Sequence, residues 1–191
     1  MHIGLFFGSF NPVHIGHMAL ANYMASFTDL DQVWFVVSPH NPLKEKSSLL
    51  DQNQRLHMVN LAIGDHAHMK SSNIEFQLSQ PSYTVNTLAH LAEKYPQHAF
   101  SLIIGEDNLV SFPKWKNFEH ILQHHKLYVY PRPGCAKSAL LEHPNVYMTE
   151  APVMDISSTF IRAALKQKKD VSFFVPESVW RFIDEMSFYR K

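Results

Sequence analysis

Two histidines three residues apart, His14 and His17, follow the loop Gly8-Ser9-Phe10-Asn11-Pro12, which itself follows the apolar run Ile3 to Phe7. That order reads as strand, tight loop, helix. Gly8 admits backbone angles closed to other residues, so the chain can turn sharply there and bring bare N–H groups near a phosphate, with Ser9 adding a hydroxyl donor. The apolar series Ile15, Met18, Ala19, Ala21, Tyr23, Met24 predicts a helix beginning near Val13 or His14. Both imidazoles then share one face of its first turn, where the helix dipole favours an anion. The chemistry this arrangement suits is the binding and neutralisation of a phosphate.

A second phosphate-type element lies about 140 residues further on, in Asp155-Ile156-Ser157-Ser158-Thr159-Phe160-Ile161-Arg162. Ser157 is a good N-cap for a helix with Phe160, Ile161, Ala164 and Leu165 as its apolar face, and the N–H groups of Ser158 and Thr159 form an anion site. Arg162 falls one turn past Ser158 on the same face. A triphosphate end fits hydroxyl, backbone and guanidinium together.

The elements that must position these groups alternate between strand and helix. Gln32 to Ser38, Ala99 to Ile104 and Lys126 to Tyr130 are apolar runs of the kind buried on both faces of a parallel sheet, and Val146 to Met148 is a last short strand. A weaker strand is expected around Asn73 to Gln77. Asp51 and Gln54 make a capping box for the helix carrying Arg55, Leu56 and Val59, while Ser82 or Thr84 is the expected cap of Val85 to Lys94. The fold class that follows is α/β, a doubly wound parallel sheet with C-terminal helices. Its ligands should lie beyond the carboxyl ends of the strands. Groups leaving those ends include Lys44 in the loop Pro39 to Lys46, Asp107 after Gly105, and Arg132 after Tyr130.

Length and composition narrow the partners. A chain of 191 residues with 46% hydrophobic content fits one domain, 1–191, with a real core. Seventeen basic residues balance seventeen acidic ones, so no general footprint for nucleic acid exists. Cys135 is the sole cysteine, which excludes an intramolecular disulfide and a cysteine zinc site, and a reducing cytoplasm fits best. No apolar run approaches the roughly 20 residues that span a bilayer, so no membrane partner is expected.

Gly8 to His17 resembles the H-x-G-H signature of the nucleotidyltransferases, and in its longer form G-[GT]-F-[DN]-P-x-H-x-G-H it resembles the nicotinate-nucleotide adenylyltransferase family. Ser9 stands where a second Gly or Thr is usual, and Asn11 where Asp is frequent. Further matches are R-x-x-M at Arg55 and Met58, S-Y-T at Ser82 to Thr84, G-x-D at Gly105 and Asp107, F-P-x-W ending at Trp115, R-P-G at Arg132, and I-S-S-T-x-I-R at Ile156 to Arg162. The resemblance covers Ile3 to Tyr189, the last part through V-P-x-x-V-x-x-[FY]-I.

The resemblance implies a Rossmann-like nucleotidyltransferase that joins ATP to a pyridine mononucleotide, with Mg²⁺ arriving on ATP because no carboxylate cluster marks a metal site of the protein's own. By this likeness His14, His17, Lys44 and Arg162 are catalytic. Gly8, Ser9, Phe10, His17, Gly105, Asp107, Arg132, Ile156, Ser157, Ser158 and Arg162 would bind ATP. Asn11, Lys44, Arg55, Tyr83, Thr84 and Trp115 would bind the mononucleotide. Three rival readings stand beside it: a pantetheine-phosphate adenylyltransferase or cytidylyltransferase, a non-catalytic nucleotide sensor, and a metal binder drawing on the 13 histidines. Assembly into a homo-oligomer is left open.

Overall fold

The computed structural model describes residues 1–39 and 49–190. Six strands, β1 (His2–Gly8), β2 (Gln32–Val37), β3 (Met69–Ser72), β4 (Ala99–Gly105), β5 (Leu127–Tyr130) and β6 (Val146–Met148), form one sheet in the order β3-β2-β1-β4-β5-β6. Every pairing is parallel. The chain works outward from β1 to β3, then returns across the sheet to β4 on the other side of β1. The carboxyl ends of β1 and β4, at Gly8 and Gly105, therefore flank the point where strand order reverses, which is where an open α/β sheet leaves a crevice.

The alternation of side chains along each strand builds two cores. Phe6, Val33, Phe35, Val37, Ile103 and Tyr128 face one layer, together with α1 (Ile15–Phe27), α2 (Gln52–Ile63), α6 (Ser158–Lys166) and α7 (Glu177–Glu185). Ile3, Leu5, Trp34, Val36, Leu102, Ile104 and Val129 face the other, packed by α3 (Thr84–Lys94), α5 (Phe118–His124) and Leu109 of the short α4 (Glu106–Ser111). Strands covered on both sides need apolar residues at every position, which is why the central runs lack a polar–apolar alternation. Among the described residues, no helix is long and apolar enough to cross a membrane.

Several local expectations are revised. The strand beyond α2 is Met69–Ser72, and the stretch expected to form it, Ile74–Gln77, is a 3-10 turn with consecutive Ile74 and Glu75 both buried. Two successive side chains cannot face the same side of a strand, whereas a tight helical turn brings them closer together. α3 is capped by Tyr83 with no side-chain bond, so neither Ser82 nor Thr84 caps it. Phe160 of α6 is half exposed, its ring against Phe174, while Ile161, Ala164 and Leu165 are buried as expected. The surface segment Cys135 to Pro144 contains a 3-10 turn, Ala139–Glu142, whose Leu140 and Leu141 pack on the second core. Asp51 does cap α2, accepting from the Asn53 N–H at 2.8 Å.

Gly8 ends β1, and the residue with left-handed geometry is Phe10, at φ 46°. A buried aromatic holds that strained conformation because Phe6, Phe35 and His17 surround its ring at centroid distances of 5.9, 5.4 and 5.1 Å. Gly8 supplies the space, since a Cβ there would lie 2.7 Å from the Phe10 ring. Gly8→Ala is therefore expected to destabilise the protein by about 1–3 kcal/mol, the usual range for overpacking. Urea denaturation measures it, and an unchanged midpoint would show that the ring yields freely.

Candidate active site

A cleft of about 820 Å³ opens at the reversal of strand order, lined by Gly8 to Asn11, His14 and His17, the start of α3, Gly105 and Asp107, Trp115, Arg132, and the start of α6. Its charged walls carry Lys114, Lys116, Arg132 and Arg162 against Glu75 and Asp107. Such an excess of cations attracts an anionic ligand.

The two histidines meet before the helix has properly begun. His14 is the N-cap of α1 in extended geometry and His17 its third residue, and their rings stack with centroids 3.7 Å apart. The His14 N–H donates to His17 Nδ1 at 3.2 Å, which puts the proton of a neutral His17 on Nε2. Gly16 leaves room for the stack, as a Cβ there would come within 3.1 Å of the His14 ring. His14 Nδ1 is buried with no hydrogen-bond partner. Burial, aided by the positive charge of Arg132, lowers the His14 pKa to about 4, so in the ligand-free protein this imidazole is neutral at pH 7.

The second motif docks directly on this loop. Ser157 caps α6, accepting from the Phe160 N–H at 3.1 Å, as its sequence signature predicted. Arg162 Nη1 donates to the Asn11 carbonyl at 2.8 Å, and the Ser158 hydroxyl donates to the Pro12 carbonyl at 2.8 Å. The single proton of Ser158 is thus committed to the loop, which revises the expectation that this hydroxyl donates to a phosphate. The start of α6 and the residues before it still stand on the cleft wall, as Ile156, Ser157, Ser158, Thr159 and Arg162.

Arg55 lies elsewhere than expected. It is fully buried, and its guanidinium donates to four carbonyls: Leu50 at 2.9 Å, Ser9 at 2.6 Å, Ser38 at 2.8 Å and Pro39 at 2.8 Å. It holds the loop from beneath and does not line the cleft. Asn11 is also buried, its Oδ1 accepting from the Leu50 N–H at 3.3 Å and the Tyr189 hydroxyl at 2.7 Å, so its side chain serves the loop's shape. Lys44 falls outside the described residues.

On the β4 side, the Asp107 carboxylate folds back over Gly105, where a Cβ would lie 2.3 Å from Oδ1. This gives the G-x-D spacing a steric reason. Asp107 and Arg132 are loosely paired at 3.8 Å, and Arg132 Nε is buried without a hydrogen-bond partner. At the far end stand Tyr83 and Thr84, at the head of α3, and half-buried Trp115, its ring 5.1 Å from Phe112. The Lys116 ammonium sits 4.6 Å over the Tyr83 ring, joining the two segments across the cleft. Sequence reading missed Tyr189 and Glu75. Tyr189 reaches the loop across 178 positions of sequence, and Glu75 carried no motif beyond sitting in a stretch read as strand.

A histidine-bearing loop and a docked helix end lie at the switch point of a parallel sheet, and a family model described as cytidylyltransferase-like matches residues 5–164, which makes the chain a nucleotidyl-transfer protein. More narrowly, the chain belongs to the nicotinate-nucleotide adenylyltransferase family. It is 56% identical, over an alignment of 193 positions that covers the whole of both chains, to a probable nicotinate-nucleotide adenylyltransferase of Flavobacterium psychrophilum. The corresponding Flavobacterium johnsoniae protein is 55% identical, again over the whole of both chains. In fold it resembles a Plasmodium falciparum nicotinic acid mononucleotide adenylyltransferase solved with NaAD, at 17% identity and a TM-score of 0.80 over 98% of this chain and 97% of that one.

The depressed pKa of His14 makes stability fall in acid. The unfolded chain takes up a proton near pH 6.5 and the folded chain only near pH 4, so this contribution is whole above pH 6.5 and is lost as pH falls towards 4. The loss amounts to about 3 kcal/mol. Urea denaturation at pH 7 and pH 4 should show His14→Gln losing less stability than the native chain by about that amount. Equal losses would mean that His14 charges freely in the fold.

Proposed function

We propose that the chain transfers the adenylyl group of ATP to nicotinate mononucleotide, giving nicotinate adenine dinucleotide and pyrophosphate, a step of NAD biosynthesis, as one domain spanning residues 1–191 in the cytoplasm. The observation that carries this reading is the docking of the α6 start on the Gly8–His17 loop, which gathers His14, His17, Arg132 and Arg162 on one cleft.

In this reading the 5′-phosphate of the mononucleotide attacks the α-phosphorus of ATP in line. A new P–O bond forms as the bond to the bridging oxygen of the β-phosphate breaks, and pyrophosphate leaves. The attacking phosphate is already a nucleophile, so the protein's work is to position two anions and neutralise developing charge. His14 and His17 act as N–H donors to the phosphates, His14 meeting them as a neutral imidazole. The buried Nδ1 of His14 and Nε of Arg132 are the polar atoms a bound nucleotide can satisfy. Arg162 adds positive charge beside the loop, and Asp107 suits the ribose hydroxyls. Lys44 is assigned to the phosphates by its likeness to the family alone.

Magnesium enters as part of the substrate, MgATP. Asp107, a carboxylate on the cleft wall, is paired with Arg132 and assigned to the ribose, which leaves the triphosphate to carry the ion. The ion supplies charge neutralisation on the triphosphate.

The mononucleotide's pyridine is assigned to the end walled by Tyr83, Thr84 and Trp115. Backbone N–H groups at the head of α3 favour a carboxylate, both through the helix dipole and by leaving an amide's NH₂ facing donors. Pyrophosphate release with each mononucleotide in turn tests this. The acid form should be preferred in kcat/KM by at least about tenfold, or roughly 1.4 kcal/mol. Equal values would show a pocket indifferent to the charge, and turnover of neither would end the reading.

A further inference from the structure

Beyond α7 the chain doubles back, and Tyr189 reaches the loop between β1 and α1. Its hydroxyl meets the Asn11 side chain at 2.7 Å, and the Leu50 N–H meets the same atom at 3.3 Å. A backbone N–H donates only to an acceptor, so that atom is Oδ1 rather than the amide nitrogen, and the tyrosine hydroxyl must be the second donor. Burial pushes the Tyr189 pKa up, so the hydroxyl keeps its proton. Two donors from outside the loop thus converge on one buried amide oxygen, which has two lone pairs to receive them.

Reaching Asn11 strains the tail. Ser187 and Tyr189 both take left-handed backbone, at φ 52° and 63°, a conformation that a bulky side chain holds only where its surroundings compensate. The compensation is anchorage on α7: the Phe188 ring lies 5.5 Å from Phe182, its N–H donates to the Ile183 carbonyl at 3.0 Å, and Arg190 pairs with Asp184. In turn α7 is fastened to α2, through the Ser178 hydroxyl on the Leu61 carbonyl at 2.7 Å and Phe182 against His57 at 4.7 Å. The helix that sends Arg55 to the Ser9 carbonyl therefore also supports, through α7, a second grip on the same loop.

We propose that Tyr189 is a positioning residue of the adenylyl-transfer site: by holding the Asn11 side chain it sets where the loop delivers His14 and His17. Tyr189 does not line the cleft, so its effect must pass through Asn11. Arg162 fixes the Asn11 carbonyl at 2.8 Å, and His14 begins α1 three positions later, so a turn of Asn11 is passed to the imidazoles over a short stretch of chain. The proposal rests on the reading of this loop as the phosphate site. Misplaced donors can still meet the bound phosphates, but they meet the developing charge less well, so the loss belongs in kcat rather than KM.

Steady-state kinetics of Tyr189→Phe, Asn11→Ala and the double variant test this, with circular dichroism confirming folding. Tyr189→Phe keeps the ring and removes only the hydroxyl, and it should lower kcat by about tenfold while both KM values stay within about threefold. In the Asn11→Ala background the same change should cost less than about twofold, because the hydroxyl acts through Oδ1 alone. Should Asn11→Ala not fold, hydrogen exchange decides the coupling: in Tyr189→Phe the amides of Phe10 to His14 should exchange about tenfold faster while those of β4 and β5 keep their native rates. A fall in kcat of less than about threefold, an equal loss with and without the Asn11 side chain, or exchange that rises alike across the sheet would overturn the proposal and leave Tyr189 a stabilising contact only. Native turnover that Tyr189→Phe leaves untouched overturns this proposal alone, whereas a native chain that turns over neither mononucleotide ends the functional reading, and the proposal with it.

Discussion

The structure depends first on one buried guanidinium. Arg55 is completely enclosed, and its guanidinium donates to the carbonyls of Ser9 in the phosphate loop, Ser38 and Pro39 after β2, and Leu50 ahead of its own helix. A buried charge is tolerated only when its donors are satisfied, so the three segments must come together for any of them to be stable there. The loop that carries the histidines is shaped by this requirement before a substrate arrives. Arg162 and Tyr189 complete it from the other side, gripping the carbonyl and the side chain of Asn11.

This preparation explains the division of labour between the charged groups. Two arginines, Arg55 and Arg162, hold backbone, while His14 and Arg132 are the described cleft residues with a buried polar atom left unmet. A neutral His14 beside a loosely paired Arg132 lets the cleft stay assembled without a ligand, since two adjacent cations would repel each other. When phosphates bring negative charge, the same low-dielectric surroundings strengthen every contact made to them.

How much of this was readable in the sequence follows from the range of each interaction. The Gly8–His17 loop, the Ser157 cap and the strands β1, β2 and β4 are set by neighbours a few residues apart, and their types announce them. Arg55 was assigned to the ligand because its four acceptors are carbonyls, which any sequence supplies and none advertises. Gly8 was credited with a backbone turn that Phe10 makes, since the reason lies in a ring packed among Phe6, Phe35 and His17. Glu75 sat in a stretch with strand-like pattern, and only the 3-10 turn at Ile74–Gln77 aims it into the cleft wall. Tyr189 belonged to a tail with nothing in its local pattern to mark a contact with Asn11.

The central claim is that the phosphate loop is preorganised by protein contacts rather than by ligand. Hydrogen exchange of the ligand-free protein over Phe10 to His14 tests it most directly, because these residues are buried and the loop is held by Arg55 and Arg162. The account predicts protection of the loop's amides by at least about a hundredfold over the unfolded chain, and little change when a non-hydrolysable ATP analogue is added. Fast exchange in the free protein that slows sharply with the analogue would contradict it, and would place the ordering of the loop in the ligand instead.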